Sequence, residues 1–329
     1  MSIEVSIIIP IFNEERYISK CLESIVSQDF PIENLEILLV DGKSTDNTKK
    51  IIESYMQNYP VIRILCNPDR ITPKSMNIGI KAAKGKFIIV TSAHAKLMHN
   101  YVSKCIETFN SIDADNVGGN IITQPGKSAL IAEAISFATS NIFGVGNSKF
   151  RISNKAGYVD TVAFGAFKKK VFNKIGLFNE RLIRNQDIEF NSRIIKNDGK
   201  IYLNPEIKSY YYNRSNVHEL CKQNFQNGRW NIYTMLLSPG SLSVRHFVPF
   251  LFLFSLLFAS FVSCFLMVGK IVLISVLISY FSLSIIFSFK IGIKNNLKLI
   301  PILPLVFFLL HISYGLGSFW GFLTIKKLL

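Results

Sequence analysis

The stretch that decides the fold of this chain is Leu35-Glu36-Ile37-Leu38-Leu39-Val40, followed by Asp41-Gly42-Lys43-Ser44-Thr45-Asp46-Asn47-Thr48. Its consecutive apolar residues predict a buried strand, and the polar residues that follow cannot continue that strand. We therefore expect Asp41 at the carboxyl end of a sheet strand, where open α/β sheets bind their ligands. A carboxylate there can accept hydrogen bonds from a nucleobase N–H or a ribose hydroxyl. The alternative is that Asp41 only begins a turn, a common role for an Asp-Gly pair.

Strands and helices alternate on both sides of this stretch. Residues 5–9, 61–66 and 86–91 are predicted to form further strands, and the segments between them carry apolar residues at helical spacing. Asn13 and Thr72, the latter followed by Pro73, are expected to cap two of the helices. The pattern predicts an α/β fold with a doubly wound, mostly parallel sheet and right-handed crossovers.

The composition restricts the partners and the compartment. The net charge of +15 fits nucleic acid, anionic lipid or a phosphorylated small molecule as a partner. No zinc-finger spacing or RNA-binding aromatic motif occurs, so nucleic acid is not expected. The five cysteines are scattered and form no Cys-x-x-Cys pair, which fits a reducing cytosol better than a disulfide framework or a zinc site.

A basic helix start follows the third predicted strand. Arg70 and Lys74 flank Thr72 and Pro73, and the free N–H groups of a helix start attract anions. These residues predict a cradle for a pyrophosphate. The alternative is that both cations are solvated surface charges.

Several motifs together resemble those of the family-2 glycosyltransferases, which have the GT-A fold. The resemblance covers roughly residues 3 to 235 and is closest to the succinoglycan (exopolysaccharide) type. It implies a nucleotide-diphosphate-sugar donor, with Asp41 near the base. The motifs that carry it are Pro10-Ile11-Phe12-Asn13-Glu14-Glu15, Val40 to Thr48, Asn77-Ile78-Gly79 and Ala83-Lys84-Gly85. The donor-binding residues that it implies are Pro10, Asn13, Glu14, Asp41, Arg70, Lys74, Asn77, Ser92 and His94.

The fourth predicted strand ends in a departure from that family. The family places Asp-x-Asp, or Asp-Ala-His in this subgroup, where this chain has Ser92-Ala93-His94. A serine hydroxyl and an imidazole are poor ligands for Mg²⁺ or Mn²⁺. Two alternatives stay open: His94 and the diphosphate hold a divalent cation weakly, or Arg70, Lys74 and the helix start supply the positive charge. A third is that His94 is a hydrogen-bonded histidine in a cleft.

The catalytic candidate is Asp187, in Arg184-Asn185-Gln186-Asp187-Ile188-Glu189. Inverting sugar transfer needs one base to deprotonate the acceptor hydroxyl, and a carboxylate can serve. Asp187 matches the second residue of the family's Glu-Asp motif, written Gln-Asp here. Glu189 cannot share its helix face, so we expect Glu189 to orient the acceptor site or to pair with Arg193. The alternative is an acidic first helical turn favoured by the helix dipole.

Two further segments are expected to bind the acceptor. By resemblance, Asp160, Gly165 and Ala166 line its pocket. An amphipathic helix over residues 217–237 contains Gln226-Asn227-Gly228-Arg229-Trp230, which matches the Gln-x-x-Arg-Trp pattern of processive polysaccharide synthases. There the tryptophan stacks on the acceptor sugar and the arginine meets the diphosphate. Gln223 is a second candidate for the glutamine, and Trp230 is equally suited to anchoring at a membrane interface.

The C-terminal part is strongly apolar. Residues 247–268, 271–289 and 299–323 are each predicted to span a membrane, because a bilayer core needs about 20 apolar residues. We expect a cytoplasmic catalytic domain over residues 1–240, with a donor half (1–95) and an acceptor half (96–240), and a membrane domain over 241–329. Lys290, Lys294 and Lys298 should face the cytoplasm and Lys270 the outside, but Lys326 and Lys327 would then break the positive-inside rule. The third segment is therefore either re-entrant or part of a different topology.

The predicted function is that of a multi-pass enzyme of the cytoplasmic (inner) membrane. It would transfer a hexose with inversion from a nucleotide-diphosphate sugar, a UDP-sugar in the first instance, to a lipid-linked or growing glycan acceptor in exopolysaccharide or cell-surface glycan synthesis. One alternative is a polyprenyl-phosphate sugar synthase. Another, kept open by Ser92, is a catalytically silent membrane scaffold in a polysaccharide assembly complex.

Overall fold

The computed structural model describes residues 3–327 and confirms the α/β fold with apolar C-terminal helices. The strands are β1 (Val5–Ile11), β2 (Leu35–Asp41), β3 (Ile62–Cys66), β4 (Phe87–Val90), β5 (Ala95–Leu97), β6 (Asn116–Gln124), β7 (Gly157–Tyr158), β8 (Ala163–Lys168) and β9 (Ile201–Tyr212). The helices are α1 (Ile18–Val26), α2 (Thr48–Asn58), α3 (Thr72–Ala82), α4 (Tyr101–Ser111), α5 (Leu130–Ala138), α6 (Ile142–Val145), α7 (Lys149–Ile152), α8 (Lys170–Ile175), α9 (Gln186–Lys196), α10 (Val217–Leu237), α11 (Val248–Ser263), α12 (Met267–Lys294) and α13 (Leu303–Leu323).

The strands form one sheet in the order β3-β2-β1-β4-β8-β6-β9-β5, with β7 paired to β9. β3, β2, β1 and β4 are parallel, as predicted. The pairs β4–β8, β6–β8, β5–β9 and β7–β9 are antiparallel. The sheet is therefore mixed, with a parallel half that carries the Asp41 strand and an antiparallel half that the strand–helix pattern did not predict.

The inner strands of the parallel half, β1 and β2, are buried on both faces. Ile7 and Ile9 of β1 pack with α1, α2 and α4, whereas the intervening Ile8 packs with α3, α8 and α9. Because successive side chains of a strand point to opposite faces, a strand covered on both sides must be apolar throughout. This requirement explains the uninterrupted apolar runs in β1 and β2.

Two predicted helix caps are wrong. α1 begins at Ile18 after Tyr17, and Asn13 instead lies in the preceding loop with a φ of 55°. α3 already includes Thr72, so Ile71 is the residue before its first turn, and neither residue provides a side-chain cap. In the first case the amide of Asn13 is used by a neighbouring loop, as described below.

The chain divides into two compact units. The first comprises Met1–Ile122 and Lys149–Tyr211, and the second comprises Thr123–Ser148 and Tyr212–Leu329. The sequence places a boundary near residue 240, but the structure divides the chain after Tyr211. The reason is that α10 packs closely along α13 and so groups with the C-terminal helices.

The second unit contains the apolar helices. By length and composition, α12 and α13 could each cross a membrane, and α11 is a shorter apolar helix of 16 residues. Its buried core joins α5, α10 and α13 through Ile135, Leu220 and Phe307. The three predicted spans therefore correspond to three apolar helices, of which α12 and α13 are long enough to cross a membrane.

Candidate functional site

Asp41 is the last residue of β2, and its neighbours across the sheet are Ile11 and Cys66. The carboxyl ends of three parallel strands thus lie side by side there. The Asp41 carboxylate accepts hydrogen bonds from the backbone N–H of Ser44 at 3.0 Å and from its hydroxyl at 2.6 Å. These bonds fix the orientation of a half-buried acid at the sheet edge where a ligand is expected.

The loop after β1 is joined to the loop after β2. Asn13 accepts a hydrogen bond from the Thr45 N–H at 2.8 Å and donates its own N–H to the Ser44 hydroxyl at 3.0 Å. The Glu14 N–H donates to the Thr48 hydroxyl at 2.7 Å. Asparagine tolerates the left-handed conformation that this arrangement requires. Asn13 therefore shapes the site, while Pro10 lies within β1 opposite Val40.

Phe12, which is not among the residues predicted from the sequence, lies next to Gly42 and Arg70. Its ring is 41% exposed, and a β-carbon on Gly42 would lie only 3.4 Å from the Phe12 β-carbon. The guanidinium of Arg70 lies 5.0 Å from the ring centroid. An exposed aromatic face beside Asp41 is suited to stacking on a planar ligand. The available signal in the sequence was a large apolar residue directly before the polar residues Asn13 to Arg16.

Lys74 and Asn77 on α3 are both engaged by protein groups. Lys74 forms an ion pair with Asp69. The Asn77 side chain is buried, and its amide exchanges two hydrogen bonds with the backbone of Phe178, each at 2.9 Å. The structure therefore gives Asn77 the role of fastening the loop that precedes α9, in place of the expected contact with the donor.

His94 faces a carboxylate of the same unit. Its Nε2 lies 3.0 Å from Glu14 Oε2, and its ring lies 4.3 Å from that of Tyr17. The Ser92 hydroxyl accepts a hydrogen bond from the His94 N–H at 3.2 Å. Over residues 3–327, no group of three or more His, Cys, Asp or Glu side chains is arranged to hold a metal ion. The donor set at Ser92 and His94 does not fit a hard divalent cation, which prefers several carboxylate oxygens.

Asp187 lies in the first turn of α9 and its side chain is exposed. Desolvation by the surrounding protein nevertheless raises its pKa, against the effect of backbone N–H groups from Ile188 and from Asp187 itself. A carboxylate that solvent reaches but that is only partly solvated is a stronger base than a fully hydrated one. The neighbouring Gln186 Oε1 is buried and accepts no hydrogen bond from the described part of the chain. Gln186, to which no role was predicted from the sequence, is thus a second polar side chain next to Asp187.

Glu189 is buried and forms a two-point ion pair with Arg193, with N–O distances of 2.7 and 2.9 Å. This is the pairing that the helical spacing of the two residues suggests. The guanidinium also donates to the carbonyls of Ile175 and Leu177, each at 2.7 Å. Glu189 therefore helps to fix the loop leading to Asp187, and its carboxylate is already occupied.

Asp187 is tied to the same sheet edge through α9. Asn191, one turn further along, donates to the Thr161 hydroxyl at 2.8 Å and accepts from Asn116 at 2.8 Å. Thr161 lies just before β8, which runs antiparallel to β4, so the start of β8 meets the carboxyl end of β4. Asp41 and His94 thus follow the carboxyl ends of two parallel strands, and α9, which carries Asp187, is fastened beside the start of β8 at that edge.

The expected acceptor segment is only partly available to a ligand. Asp160 is exposed, but Ala166 is fully buried in the core, so its side chain cannot line a pocket. Gly165 packs so closely on the side chain of Asn116 that a β-carbon would clash with it. Phe164, which directly precedes Gly165, has a φ of 47°. Its carbonyl accepts a hydrogen bond from the buried Tyr101 hydroxyl at 2.6 Å. This strained position was not foreseen from the sequence.

The other expected acceptor residues lie on α10 in the second unit. Gln226, Arg229 and Trp230 are partly exposed. Arg229 Nε donates to the Tyr233 hydroxyl at 3.0 Å, and the Trp230 ring meets the Tyr233 ring edge-on at 5.3 Å. Tyr233 therefore holds both side chains of the Arg-Trp pair.

Comparison with known proteins places the chain in a family. Residues 6–176 match the model of glycosyl transferase family 2. Over 96% of both chains, the protein is 35% identical to a Methanococcus voltae enzyme named dolichyl N-acetyl-alpha-D-glucosaminyl phosphate 3-beta-D-2,3-diacetamido-2,3-dideoxy-beta-D-glucuronosyltransferase. It is 25% identical to the succinoglycan biosynthesis protein ExoA of Rhizobium meliloti, over 74% of this chain and 73% of that protein.

Solved structures show the same fold at low identity. A Pyrobaculum calidifontis mannosyltransferase, solved with GDP-Man and Mn²⁺, superimposes with a TM-score of 0.60 at 14% identity, covering 96% of this chain and 87% of its own. Staphylococcus aureus TarS, solved with UDP-GlcNAc, has a TM-score of 0.56 at 18% identity, covering 98% and 92%. The sheet, the motifs and these relatives lead to one conclusion: the chain belongs to glycosyl transferase family 2 and is a glycosyltransferase of the GT-A fold.

Proposed function

We propose that this glycosyltransferase moves a sugar with inversion from a UDP-sugar to a lipid-phosphate-linked sugar at the cytoplasmic face of the cell membrane. The acceptor class is taken from the name of the Methanococcus relative, which matches almost the whole chain. The choice of UDP is supported by the TarS structure with UDP-GlcNAc. The product would be a lengthened lipid-linked glycan for the cell surface.

The donor would bind at the carboxyl ends of β1 and β2. The Asp41 carboxylate, oriented by Ser44, would accept hydrogen bonds from the base or the ribose. The exposed Phe12 ring would stack on the base, with Arg70 beside it. The remaining polar groups at this edge would then face the diphosphate.

Asp187 would act as the base, and its setting is the observation that carries the proposal. In the reaction the acceptor hydroxyl attacks the anomeric carbon, its proton passes to a carboxylate, and the nucleotide diphosphate leaves from the opposite face. The raised pKa of Asp187 brings its basicity closer to what neutral pH requires. The carboxylate of Glu189 is held by Arg193, so it cannot take over this role.

Positive charge for the leaving diphosphate would come from the protein. Because Ser92 and His94 do not fit a divalent cation, no step is assigned to a metal ion. Arg70 and the amino-terminal end of α3 lie next to the proposed nucleotide site, and helix starts stabilise phosphate groups. A weak cation held by His94 and the diphosphate is the alternative, and chelation distinguishes the two.

The apolar helices would place the enzyme beside its acceptor. α11, α12 and the turn between them carry exposed residues such as Phe261, Phe265 and Ile278, which are 66%, 72% and 62% exposed. Surfaces of this kind fit hydrocarbon rather than water. A lipid-linked acceptor is confined to the same membrane, which explains why a soluble fold would be attached to such helices.

The test is a panel of radiolabelled nucleotide sugars, assayed with membranes containing the full chain and a polyprenyl-phosphate-linked sugar acceptor, with and without EDTA. We expect one UDP-sugar to be transferred, the product to be one sugar longer, and EDTA to leave most of the activity. A labelled product formed on bare polyprenyl phosphate would instead indicate a lipid-phosphate sugar synthase. Nucleotide binding without transfer under every cation condition would indicate a silent scaffold.

A further inference from the structure

We propose that only α11 and α12 cross the bilayer, as a helical hairpin, whereas α13 lies along the membrane surface. The residues that follow α13 would then lie on the same side of the membrane as the first unit, here called the catalytic unit because it carries Asp41 and Asp187. This arrangement depends on the membrane location proposed above, and it assigns a lipid environment to each helix. It also explains why the lysines at the end of the chain conflict with three spans.

The hairpin exposes apolar side chains in all directions. From Met267 to Ser279, the only buried residue is Gly269, and Lys270 is the only charged residue between positions 247 and 289. A helix that is apolar on every exposed side requires hydrocarbon around it. The 28 residues of α12 extend about 42 Å at 1.5 Å per residue, which exceeds a hydrocarbon core of about 30 Å. The 16 residues of α11 extend about 24 Å, so this arm spans the core together with the apolar residues 264–266 of the turn. Strongly exposed apolar side chains along the hairpin include Phe261, Phe265, Met267, Val268, Ile271 and Ile278.

α13 differs from α12 because half of its most apolar stretch is buried, against 17% in α12. The element that covers most of it is α10, which runs alongside it in the same direction. α13 also packs against the hairpin, with Gly315 on Pro249 and Leu253 near the start of α11 and His311 on Tyr280 of α12. Successive contacts join Phe225 to Gly317, Arg229 to Gly321 and Tyr233 to Thr324. Helices that share contacts over this length must lie at the same depth relative to a membrane.

The composition of α10 excludes a hydrocarbon environment for the pair. α10 carries Glu219, Lys222 and Arg229, together with several Gln and Asn side chains. Lys222 is exposed, and Arg229 is partly exposed. Charged side chains at the centre of a bilayer are costly unless they face a protein interior or water. If α13 crossed the membrane, α10 would have to cross beside it and take these charges with it.

The exposed surface of α13 is one-sided, as expected for a helix in the membrane interface. Leu316, Phe319, Trp320 and Leu323 are exposed and follow the i, i+3, i+4, i+7 spacing of one helix face. The opposite side, with Ser318 and two glycines, is buried against α10. A single apolar stripe with a tryptophan is typical of helices that lie in the plane of the membrane surface.

The distribution of lysines agrees with a two-span topology. Lys290, Lys294 and Lys298 stand at the end of the hairpin, and Lys326 and Lys327 follow α13. If α13 does not cross, all five lie on one side and Lys270 alone lies on the other. This distribution obeys the positive-inside rule, which a third crossing would break.

Labelling with a membrane-impermeant maleimide tests the arrangement in the full chain, using sealed membrane vesicles of uniform orientation. The native chain offers two exposed reporters, Cys66 in the catalytic unit and Cys264 at the tip of the hairpin. Each is retained singly in a Cys221→Ser background by changing the other exposed cysteine to serine. Two further variants lack both reporters and carry Lys298→Cys or Lys326→Cys. Lys298 and Lys326 are both exposed lysines, and they differ in preceding or following α13.

We expect the Lys298→Cys and Lys326→Cys variants to react from the same side as Cys66 and to the same extent. Cys264 should react from that side only after the vesicles are permeabilised. Protection of the Lys326→Cys variant while the Lys298→Cys variant reacts would mean that α13 crosses, and would overturn the proposal. Reaction of Cys264 together with Cys66 in sealed vesicles would mean that the hairpin does not cross, with the same consequence.

Two measurements on the same vesicles separate this proposal from the proposed function. Release of the protein by alkaline carbonate would remove the membrane location itself, and both proposals with it. The expected labelling pattern without any sugar transfer would leave the topology standing and overturn the function alone.

Discussion

Replacing Asp187 by Asn should abolish transfer and at the same time stabilise the folded protein at neutral pH. The change keeps the size of a side chain that is exposed, so packing is unaffected. It removes the only carboxylate that the site leaves available in the first turns of α9, because Glu189 is buried and bound to Arg193. Loss of a general base costs about 10²- to 10⁴-fold in rate, or about 2.7 to 5.5 kcal/mol of transition-state stabilisation.

The effect on stability follows from the raised pKa of Asp187. A raised pKa in the folded state means that folding disfavours the charged carboxylate. This cost is absent below the pKa of the unfolded chain, where the group is neutral in both states. It grows as the pH rises from the unfolded-state pKa to the folded-state pKa, and it is fully present above the folded-state pKa. The Asn variant should therefore melt at a higher temperature than the native protein at pH 7, and the difference should vanish at low pH.

The assay combines three measurements on the detergent-solubilised full chain: the transfer rate, the dissociation constant for UDP, and the melting temperature as a function of pH. For the native enzyme, kcat/KM should fall as the pH drops through the raised pKa of Asp187, above the range usual for an aspartate. Asp198→Asn is the matched control, because Asp198 is exposed at the other end of α9 with a φ of 60°, which asparagine tolerates. It should change neither rate nor stability.

The reasoning would be refuted by an Asp187→Asn variant that retains a tenth or more of the native rate. A melting temperature lower than that of the native protein at pH 7 would also contradict it, since the carboxylate would then be stabilising. The change in rate can be assigned to Asp187 only if the dissociation constant for UDP is unchanged. We expect it to be unchanged because the donor site is formed at the ends of β1 and β2, away from α9.

Three further substitutions test other parts of the structure. Arg193→Ala should lower the free energy of unfolding by about 3 to 5 kcal/mol, because it leaves the Glu189 carboxylate buried without its partner; denaturant unfolding measures this, and a loss below 1 kcal/mol would contradict it. Phe12→Ala should weaken UDP binding by about 1 to 3 kcal/mol through loss of stacking, whereas Phe12→Tyr should not; equal affinities by calorimetry would remove Phe12 from the site. Gly228→Ala should lower the melting temperature strongly, because the added methyl group clashes with the Tyr314 carbonyl, and unchanged melting would show that α10 and α13 separate readily.

The sequence was informative where local pattern and tertiary requirement coincide. The strands ending at Ile11 and Asp41 are buried on both faces, so their apolar runs reveal them directly. The bounds of α10 agree with those expected from its periodicity. The Glu189–Arg193 pair follows from helical spacing alone, because both partners lie on one helix face.

The parts that the sequence did not reveal depend on distant residues. Asn13 is of a residue type that often caps helices, but its side-chain oxygen accepts a hydrogen bond from the N–H of Thr45, which follows a different strand. The surroundings of the Phe12 ring depend on Gly42 and Arg70, which approach it from two other segments of the chain. Strands as short as β5 and β7 carry too few residues to show a period. For that reason the order of the strands in the antiparallel half of the sheet could not be predicted from the sequence.

The tight fit between α10 and α13 bears on how the protein can be shortened. A fragment ending at residue 240 would keep Gly228, Ile232 and Tyr233 but lose the helix against which these buried residues pack. Their apolar surface would then meet water, and the Gln-x-x-Arg-Trp segment would lose its rigid backing. Ending the chain before α10 does not avoid this, because Ile135 and Ala138 of α5 would lose the same partners, so preparations should retain the whole chain with its detergent.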